Sequence, residues 1–534
     1  MRLKTHVADV TTLRDLVRVR AAEHGDREFA VVDDESVTFA QADSEANRLA
    51  HGLLARGVAK GDVVATYLYN SVDHILVWFA CAKIGAIWAP LNIALRSHDL
   101  AHTVSDSRAT AVVVDGELLP RYLEVRAGIE PRPRVEVLRG GGEPPPGFER
   151  LAALRAATAA EPPADVRWSD PAGLIYTGGT TGLPKGVLVA NMWYFPGIFR
   201  YAEMLRPGPG DVHLGNGQMC HTIGSAVDVV APLYWGMKTV LTRWFDANRV
   251  LERAREHGTT LSVVIGPAMV PMLALPELPD DADNPLRLAA TGTGGAPREL
   301  VDGFSRRFGI DLLELYGQTE TGPLGCVSQR LDDRPYHSLG TANGWADVAV
   351  LDTDDLPCPA GETGEIVLRP RFPRSFLLAY WGSPDRYVDA CRELWFHTGD
   401  LGHLDERGYL HFDGRMAHLI NRRGERISAF EVEQVVAAHP GVARCAVVGV
   451  PVGTDEEIKA YVEPVAGVAL TEPDVVRFCA ERIAHFKVPR YVEFVEEFPV
   501  SVTKGEIERH TLRARGVGDA WDREAVGVKV RRKV

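Results

Sequence analysis

The most informative stretch of the sequence is Gly173 to Val187, GLIYTGGTTGLPKGV. A short apolar run leads into a loop of glycines and threonines that ends at Pro184-Lys185-Gly186. Glycines let a backbone turn its N–H groups towards an anion, and hydroxyls and a lysine add further donors. The pattern predicts a strand followed by a phosphate-binding loop, with a flexible surface loop as the alternative. It is not a Walker A loop, because no Gly-Lys-Ser/Thr occurs here.

On the amino-terminal side of this loop, segments with helical and with strand periodicity alternate. Ser44 to Arg56 carries apolar residues at helical spacing, and Asp62 to Tyr69 has the composition of a strand. Ser71 to Ile84 is helical again, Ala86 to Pro90 is extended, and Thr110 to Val114 is a further strand. This alternation predicts helices packed on a largely parallel sheet.

The same alternation continues on the carboxy-terminal side of the loop. The sequence predicts a strand at Leu261 to Ile265, an amphipathic helix at Arg298 to Phe308 and a strand at Leu312 to Tyr316. A β-rich part follows, and Gly402 to Phe412 reads as a hairpin that turns at Asp405 to Gly408.

The composition of the chain changes beyond Gly414. Ser428 and Glu431 form a capping-box pattern ahead of a helix that stops at His439, and Glu472 to His485 is a second predicted helix. The sequence therefore predicts an α/β fold in two parts. A large N-terminal domain, residues 1–413, contains layered α/β subdomains and a small β-rich part. A smaller α+β C-terminal domain comprises residues 414–534.

Composition excludes several classes of protein. The chain has 534 residues, 46% of them hydrophobic and 25% charged, which is typical of a globular protein. Its net charge of −13 argues against nonspecific binding to nucleic acid or to an anionic membrane. Its seven cysteines include no CxxC pair, so we expect reduced thiols in a cytoplasmic protein. The most apolar stretch, Ile75 to Ala89, is too short to span a membrane and contains Lys83, so we expect a buried core element.

Several stretches resemble, in the family's order, the motifs of the adenylate-forming superfamily. This superfamily includes acyl-CoA synthetases, peptide-synthetase adenylation domains and firefly luciferase. The matching stretches are Gly173 to Val187, Gln218 to Gly224 (QMCHTIG), Gly294 to Pro297 (GGAP), Tyr316 to Glu320 (YGQTE), Trp395 to Gly402 (WFHTGDLG), Gly414-Arg415 and Asn421 to Glu433. Together they span nearly the whole chain. The resemblance implies a large N-terminal domain and a mobile C-terminal domain.

The resemblance also implies a substrate and a set of binding residues. ATP, with Mg²⁺, would be bound by residues of these motifs, while an acid attacks its α-phosphate and pyrophosphate leaves. Charge accumulates on phosphate oxygens in such a reaction, so catalysis depends mostly on positioning and on cations. The residues implied to bind the nucleotide are Thr177, Gly178, Gly179, Thr180, Thr181, Gly182, Lys185, Gly295, Ala296, Pro297, Tyr316, Gly317, Asp400 and Arg415.

Individual roles follow from the same resemblance. Residues 177–185 would hold the β- and γ-phosphates, Thr319 would contact the α-phosphate, and Glu320 would ligate Mg²⁺, which prefers oxygen ligands. Tyr316 would stack on adenine, and Asp400 would accept hydrogen bonds from the ribose hydroxyls. Considered alone, Tyr316 could be a core residue and Asp400 a turn former.

Two further assignments complete the predicted site. Arg415 would reach the ribose or the phosphates, and His221 would lie beside the acyl pocket. A lone histidine is often a structural residue, which is the alternative for His221.

The C-terminal segment departs from the family pattern. Relatives carry a lysine there that reaches the adenylating site, but Pro499 to Arg509 reads PVSVTKGEIER and places Glu506 at that position. Lys504, two positions earlier, is our candidate for this catalytic lysine. Arg423 also replaces a glycine that many CoA ligases carry. These departures bear more on the second half-reaction than on the first.

The function that the sequence favours is ATP-dependent adenylation of a small organic acid, with aromatic acids among the candidates, followed by transfer to CoA. Asn421-Arg422 and Asp455 to Ala460 resemble carnitine- and crotonobetaine-type CoA ligases most. One alternative is a diazotase that activates nitrite for attack by an aromatic amine. Another is a non-catalytic nucleotide-binding relative.

Overall fold

The structure is a computed structural model of the chain. It describes residues 10–179, 182–292, 298–330, 332–333, 335, 338–422, 425–453, 455–500 and 507–528.

Helices occur throughout the described part of the chain. In chain order they are α1 (Leu13–His24), α2 (Phe39–Ala55), α3 (Val72–Ile84), α4 (Ser97–Ser107), α5 (Leu119–Val125), α6 (Leu151–Leu154), α7 (Tyr194–Leu205), α8 (Ala231–Trp235), α9 (Val250–His257), α10 (Gly266–Leu273), α11 (Arg298–Phe308), α12 (Pro384–Ala390), α13 (Ala429–Ala437), α14 (Glu472–Arg482) and α15 (Arg509–Ala514). A π-helix, Ile223–Val230, runs directly into α8.

Strands alternate with these helices. In chain order they are β1 (Glu28–Val32), β2 (Glu35–Thr38), β3 (Val63–Tyr67), β4 (Ile87–Pro90), β5 (Ala111–Asp115), β6 (Val135–Arg139), β7 (Phe148–Arg150), β8 (Pro171–Gly179), β9 (Gly182–Ala190), β10 (Val212–Gly215), β11 (Lys238–Leu241), β12 (Leu261–Val263), β13 (Leu288–Thr291), β14 (Asp311–Tyr316), β15 (Val327–Ser328), β16 (Thr341–Ala342), β17 (Ala346–Leu351), β18 (Gly364–Pro370), β19 (Ala379–Tyr380), β20 (Cys391–Arg392), β21 (Trp395–Leu404), β22 (Leu410–Arg415), β23 (Leu419–Arg422), β24 (Glu425–Ser428), β25 (Val442–Val452), β26 (Asp455–Pro464), β27 (Tyr491–Phe494) and β28 (Trp521–Asp522).

The first large sheet has eight strands in the order β19-β9-β8-β4-β3-β5-β6-β7. Its strands from β8 to β7 pair in parallel, whereas β8 and β9 form an antiparallel hairpin. The central strands β3 and β5 are buried along their whole length, as is typical of a parallel sheet covered on both faces. Gly179 and Gly182, the described residues next to Thr180 and Thr181, therefore pair at the end of this hairpin.

The second large sheet has nine strands in the order β16-β15-β14-β13-β12-β10-β11-β1-β2. The strands from β14 to β1 pair in parallel, and the hairpins at the two edges are antiparallel. β14 ends at Tyr316, so the YGQTE segment leaves the carboxyl end of a parallel strand. Loops at that end of parallel strands are common binding sites.

The remaining strands of the described residues form three smaller sheets. β17, β18, β21, β20 and β22 form a five-stranded sheet, β23 pairs with β24, and β25 to β28 form a four-stranded sheet. The turn of the β21–β22 hairpin lies at 405–408, as predicted. The fold class is therefore confirmed: the molecule is α/β, with a large N-terminal domain and a smaller C-terminal domain. The boundary between residues 413 and 414 stays a prediction.

The apolar segments predicted from periodicity are core elements. In α3 every residue from His74 to Ile84 is buried, and Ser71 caps its first turn by accepting from the His74 N–H. The prediction that Ile75 to Ala89 is a core element is confirmed. No helix in the described residues is both long and apolar enough to cross a membrane.

One predicted helix is too long. The sequence predicts a helix from Glu472 to His485, but α14 ends at Arg482. Ile483 takes an extended conformation and packs against the core of the C-terminal domain, so burial of its side chain ends the helix. The π-helix was not predicted at all, because its run of apolar residues fits any buried helix.

Candidate active site

The described residues of the predicted phosphate-binding segment belong to the β8–β9 hairpin. Lys185 lies opposite Thr177 in the register of the two strands, and Gly179 lies opposite Gly182. The strand β19 pairs with β9 on the other side, and the Trp381 N–H donates to the Gly186 carbonyl. The hairpin is thus held between the neighbouring strands β4 and β19, and Lys185 is part of its second strand.

Lys185 is half-buried, and its electrostatic surroundings contain both signs of charge. Burial is the main reason that its pKa is lowered from the usual value. The nearby Arg386 lowers the pKa further, and Glu320 opposes the shift. The amine of Lys185 therefore shares its surroundings with Glu320, the carboxylate that the sequence assigns to Mg²⁺.

Thr319 and Glu320 lie on a short 3₁₀ helix, Thr319–Thr321, which follows β14 after Gly317 and Gln318. The indole Nε1 of Trp193 donates to the Thr319 carbonyl at 2.9 Å. The Leu377 N–H donates to the Glu320 carbonyl at 2.7 Å. These bonds connect the turn to the segments that follow β9 and precede β19, so Glu320 is held close to the hairpin.

The side chain of Glu320 has one partner with a clear role. The Tyr380 hydroxyl donates to Glu320 Oε1 at 3.0 Å, which leaves Oε2 without a hydrogen bond from any residue that the structure describes. Burial and the neighbouring carboxylate raise the pKa of Tyr380, so its hydroxyl remains a donor. Tyr380 belongs to none of the motifs above, so no local pattern predicts its role.

Asp400 is the centre of a buried cluster of hydrogen bonds. Its carboxylate Oδ2 accepts from the Tyr316 hydroxyl and from Gln318 Nε2, both at 2.9 Å. Arg415 lies opposite Asp400 in the β21–β22 ladder, and its Nε is 3.3 Å from Oδ1. The structure thus brings together Tyr316, Asp400 and Arg415, three of the predicted nucleotide-binding residues.

Tyr316 is suited to donate rather than to titrate. Only 6% of its surface is exposed, and burial followed by the charge of Asp400 raises its pKa well above the usual value. Gln318 donates to the Thr398 carbonyl as well as to Asp400. The resemblance assigns no role to Gln318, and these bonds show that it links the YGQTE segment to residues 398–400.

His221 lies on a separate loop, just before the π-helix. Its backbone N–H donates to the Gln218 carbonyl at 2.8 Å, and its Nδ1 accepts from the Ile223 N–H at 3.2 Å. The residue is exposed. The aromatic residues Trp193 and Tyr194, at the amino-terminal end of α7, are buried in the core.

Several predicted site residues lie outside the described residues. These are Thr180, Thr181, Gly295, Ala296, Pro297 and Lys504, together with Arg423 and Glu506. The chain on either side of the Lys504 segment is described, because Val500 bridges to Ile507 in antiparallel fashion.

Comparison with known families gives a clear result. The AMP-binding enzyme family matches residues 17–378, and the C-terminal domain of AMP-binding enzymes matches residues 431–504. A crotonobetaine/carnitine–CoA ligase of Salmonella paratyphi A is 30% identical over 485 residues, which cover 89% of this chain and 93% of that protein.

Solved structures with the same fold agree. An anthranilate CoA ligase, AuaEII, in complex with anthranoyl-AMP is 26% identical, with a TM-score of 0.86, and the match covers 94% of this chain and 96% of that one. ATP-bound MatB from Rhodopseudomonas palustris is also 26% identical, with a TM-score of 0.84 and coverage of 94% and 98%. The chain therefore belongs to the AMP-binding enzyme family and is an AMP-forming ligase of the adenylate-forming superfamily.

Proposed function

We propose that this ligase activates a small organic acid with ATP and transfers the acyl group to CoA. The observation that carries the proposal is the arrangement of two groups of side chains. Lys185 and Glu320 lie near each other at the hairpin, and Tyr316, Asp400 and Arg415 lie together at the end of β14. The relatives that support the acid and the acceptor are named as CoA ligases for crotonobetaine or carnitine and for anthranilate.

In the first step, a carboxylate oxygen of the acid attacks the α-phosphorus of ATP. A new P–O bond forms, the bond to the bridging oxygen breaks, and pyrophosphate leaves. Lys185 and the loop before it would neutralise charge on the β- and γ-phosphates, and Thr319 would contact the α-phosphate. Asp400 would accept from the ribose hydroxyls, and Arg415 would lie beside the ribose or the phosphates.

The residues present fit a Mg²⁺ ion that is held mainly by the phosphates. In the described residues no group of three or more His, Cys, Asp or Glu could hold a metal. Mg²⁺ in nucleotide sites is often bound by one or two carboxylates together with phosphate oxygens and water. Glu320 would supply such a carboxylate through Oε2, and the ion would screen the charge that develops on the phosphates.

In the second step, the sulfur of CoA attacks the acyl carbon and AMP leaves. The thiol loses its proton, and the acid oxygen that attacked phosphorus stays on AMP.

We propose that residues 414–534 form a mobile domain that serves both steps and that Lys504 supplies the C-terminal cation for the first. His221 would form part of the wall beside the acid. Seven unpaired cysteines fit the cytoplasmic setting that we also propose.

The alternatives receive less support. Relatives with CoA-ligase names favour CoA as the acceptor and give no support to nitrite activation or to a non-catalytic role. Lys185, Glu320 and Asp400, which we propose to serve adenylation in the large domain, are all present.

The test is a pyrophosphate-release assay on the purified full-length chain. Candidate acids are benzoate, anthranilate, crotonobetaine and carnitine, each with and without CoA, with nitrite plus an aminoaryl acid as a separate arm. We expect acid-dependent pyrophosphate release and, with CoA, an acyl-CoA identified by mass. Turnover that requires nitrite and an amine would replace the proposal by diazotase activity. ATP binding without release from any acid would leave the non-catalytic alternative.

A further inference from the structure

Two buried polar side chains, which belong to none of the motifs above, are hydrogen-bonded to the loop that carries His221. Asp228 lies on the π-helix and is completely buried, and Asn70 lies just before α3 with 3% of its surface exposed. Both make hydrogen bonds to the backbone of residues 217–219. Burying a polar group without a hydrogen bond costs folding free energy. The hydrogen bonds of these two side chains to the loop therefore indicate what they stabilise.

Asp228 binds the first residue of this loop. Its Oδ2 accepts from the Gly217 N–H at 3.0 Å, and its Oδ1 accepts from His213 Nε2 at 2.8 Å. Because a carboxylate can only accept, His213 Nε2 carries a proton, and His213 Nδ1 is hydrogen-bonded to the Tyr201 hydroxyl at 2.8 Å. Thr239 donates to the Asp228 carbonyl. The carboxylate therefore has fixed partners and holds the loop at one point.

Asn70 is hydrogen-bonded to the same loop through both its amide nitrogen and its amide oxygen. Its Nδ2 donates to the Gly217 carbonyl at 2.9 Å and to the Thr242 carbonyl at 3.0 Å. Its Oδ1 accepts from the Met219 N–H at 2.9 Å. Three backbone groups within 217–219 are thus bonded to side chains from two other parts of the chain.

The loop also folds tightly on itself. A Cβ atom on Gly217 would lie 2.6 Å from the Gly224 nitrogen, and one on Gly224 would lie 2.1 Å from the Gln218 carbonyl oxygen. Only glycine permits this close approach of two backbones. The π-helix begins at Ile223, and π-helical turns are rare and occur frequently at functional sites.

We propose that Asp228 and Asn70 are positioning residues that set the acid-side wall of the active site by fixing the backbone from Gly217 to His221. This inference rests on the proposed function, in which that wall contacts the acid. Neither residue touches the substrate in this account. Their effect on the reaction passes through the loop, so loss of either should weaken binding of the acid more than binding of ATP.

The first measurement is hydrogen–deuterium exchange, which needs no substrate. In Asp228→Asn and in Asn70→Ala we expect faster exchange in a peptide covering 216–223 and unchanged exchange in one covering 171–177. The matched control is Asp43→Asn, which removes one of the two carboxylates bound to the completely buried amine of Lys83. Lys83 lies near the other end of α3, about 16 Å along the helix from its first residue. Equal exchange in 216–223 for the two test variants and the parent overturns the inference.

The second measurement is steady-state kinetics with whichever of benzoate, anthranilate, crotonobetaine and carnitine the parent enzyme uses best. We expect the KM for the acid to rise at least about fivefold and the KM for ATP to change less than about twofold. Equal rises in both constants, as from general destabilisation, contradict the inference. An inactive parent counts against the proposed function, whereas the exchange experiment still decides the inference. Because Asp228→Asn could fail to fold, Asn70→Ala is an independent variant for both measurements.

Discussion

The nucleotide side and the acid side of the site are stabilised in different ways. On the nucleotide side, the residues predicted to meet the substrate hold one another, as Asp400 does with Tyr316 and Arg415. On the acid side, His221 belongs to a loop whose backbone is held by Asn70 and Asp228, neither of which is predicted to touch the acid. Under the proposed function, the nucleotide-binding residues stabilise one another, whereas the loop beside the acid depends on residues elsewhere in the chain.

The largest effect is expected from Lys185→Ala on the nucleotide side. Loss of a cation at a transferring phosphoryl group should lower acid-dependent pyrophosphate release about a hundredfold. Lys60→Ala is the matched control, because Lys60 pairs with Asp170 at the surface. If Lys185→Ala releases pyrophosphate at the parental rate, the hairpin is not the phosphate site, and the assignment of the nucleotide side is wrong.

Asp400→Ala should affect binding rather than the chemical step alone. Hydrogen bonds to a charged group contribute about 1.5–3 kcal/mol each, so the Kd for Mg-ATP should rise about tenfold or more. Calorimetric titration measures it directly. The control is Asp413→Asn on the neighbouring strand, whose carboxylate binds His403 and Thr363 instead. Unchanged affinity in folded Asp400→Ala would remove the ribose assignment.

Lys504→Ala tests whether the C-terminal domain contributes to the nucleotide side. We expect at least about a tenfold loss in the adenylation rate, because a cation near the developing phosphate charge is removed. Thioester formation from a supplied acyl-adenylate should change much less, because Lys504 is proposed to serve the first step and not the second. Lys487→Ala, which removes a surface partner of Glu431, is the control. A parental adenylation rate would show that Lys504 is not the lysine in question.

The smallest effect is expected in the pH dependence of the free energy of unfolding, and it comes from a buried histidine close to Asn70 in the chain. His74, in the first turn of α3 after Asn70, has its pKa lowered to about 3, chiefly by burial. Its Nδ1 bonds the Tyr69 carbonyl and its Nε2 bonds Thr66, a pairing that suits the neutral ring. Below its usual pKa of about 6.5 the unfolded chain takes up a proton that the folded chain does not. The free energy of unfolding should therefore fall as pH decreases from about 6.5 towards 3.

Urea unfolding at about pH 7.5 and about pH 5 measures this difference. In His74→Asn the loss of stability between the two pH values should be smaller than in the parent. An equal loss in both proteins would show that another group causes the acid sensitivity.

Much of the fold could be predicted because periodicity and caps are local. Ser71 and the apolar run after it identify α3, and the turn at 405–408 identifies the β21–β22 hairpin. The end of α14 could not be predicted, because it depends on where the core accepts Ile483. The π-helix could not be predicted either. All its residues are buried, so no alternation of polar and apolar positions distinguishes its period from that of an α-helix.

The site residues also divide into those that a local sequence pattern predicts and those that it does not. Tyr316, Glu320 and Asp400 could be predicted because they stand in motifs that resemble those of the adenylate-forming superfamily, and their roles stay predictions. Tyr380, Asn70 and Asp228 could not, because each acts through a contact with a distant part of the chain. A hydrogen bond between residues far apart in sequence leaves no local pattern, and a single sequence does not show which pairs meet.

One measurement tests the central claim most directly: the fate of the acid's oxygen. The best acid of the panel, with its carboxylate enriched in heavy oxygen, is incubated with the enzyme, Mg-ATP and CoA. If the carboxylate attacks the α-phosphorus and CoA then takes the acyl group, one heavy oxygen appears in AMP and one remains in the thioester carbonyl. Formation of ADP with label in inorganic phosphate, or of AMP without label, would contradict the account.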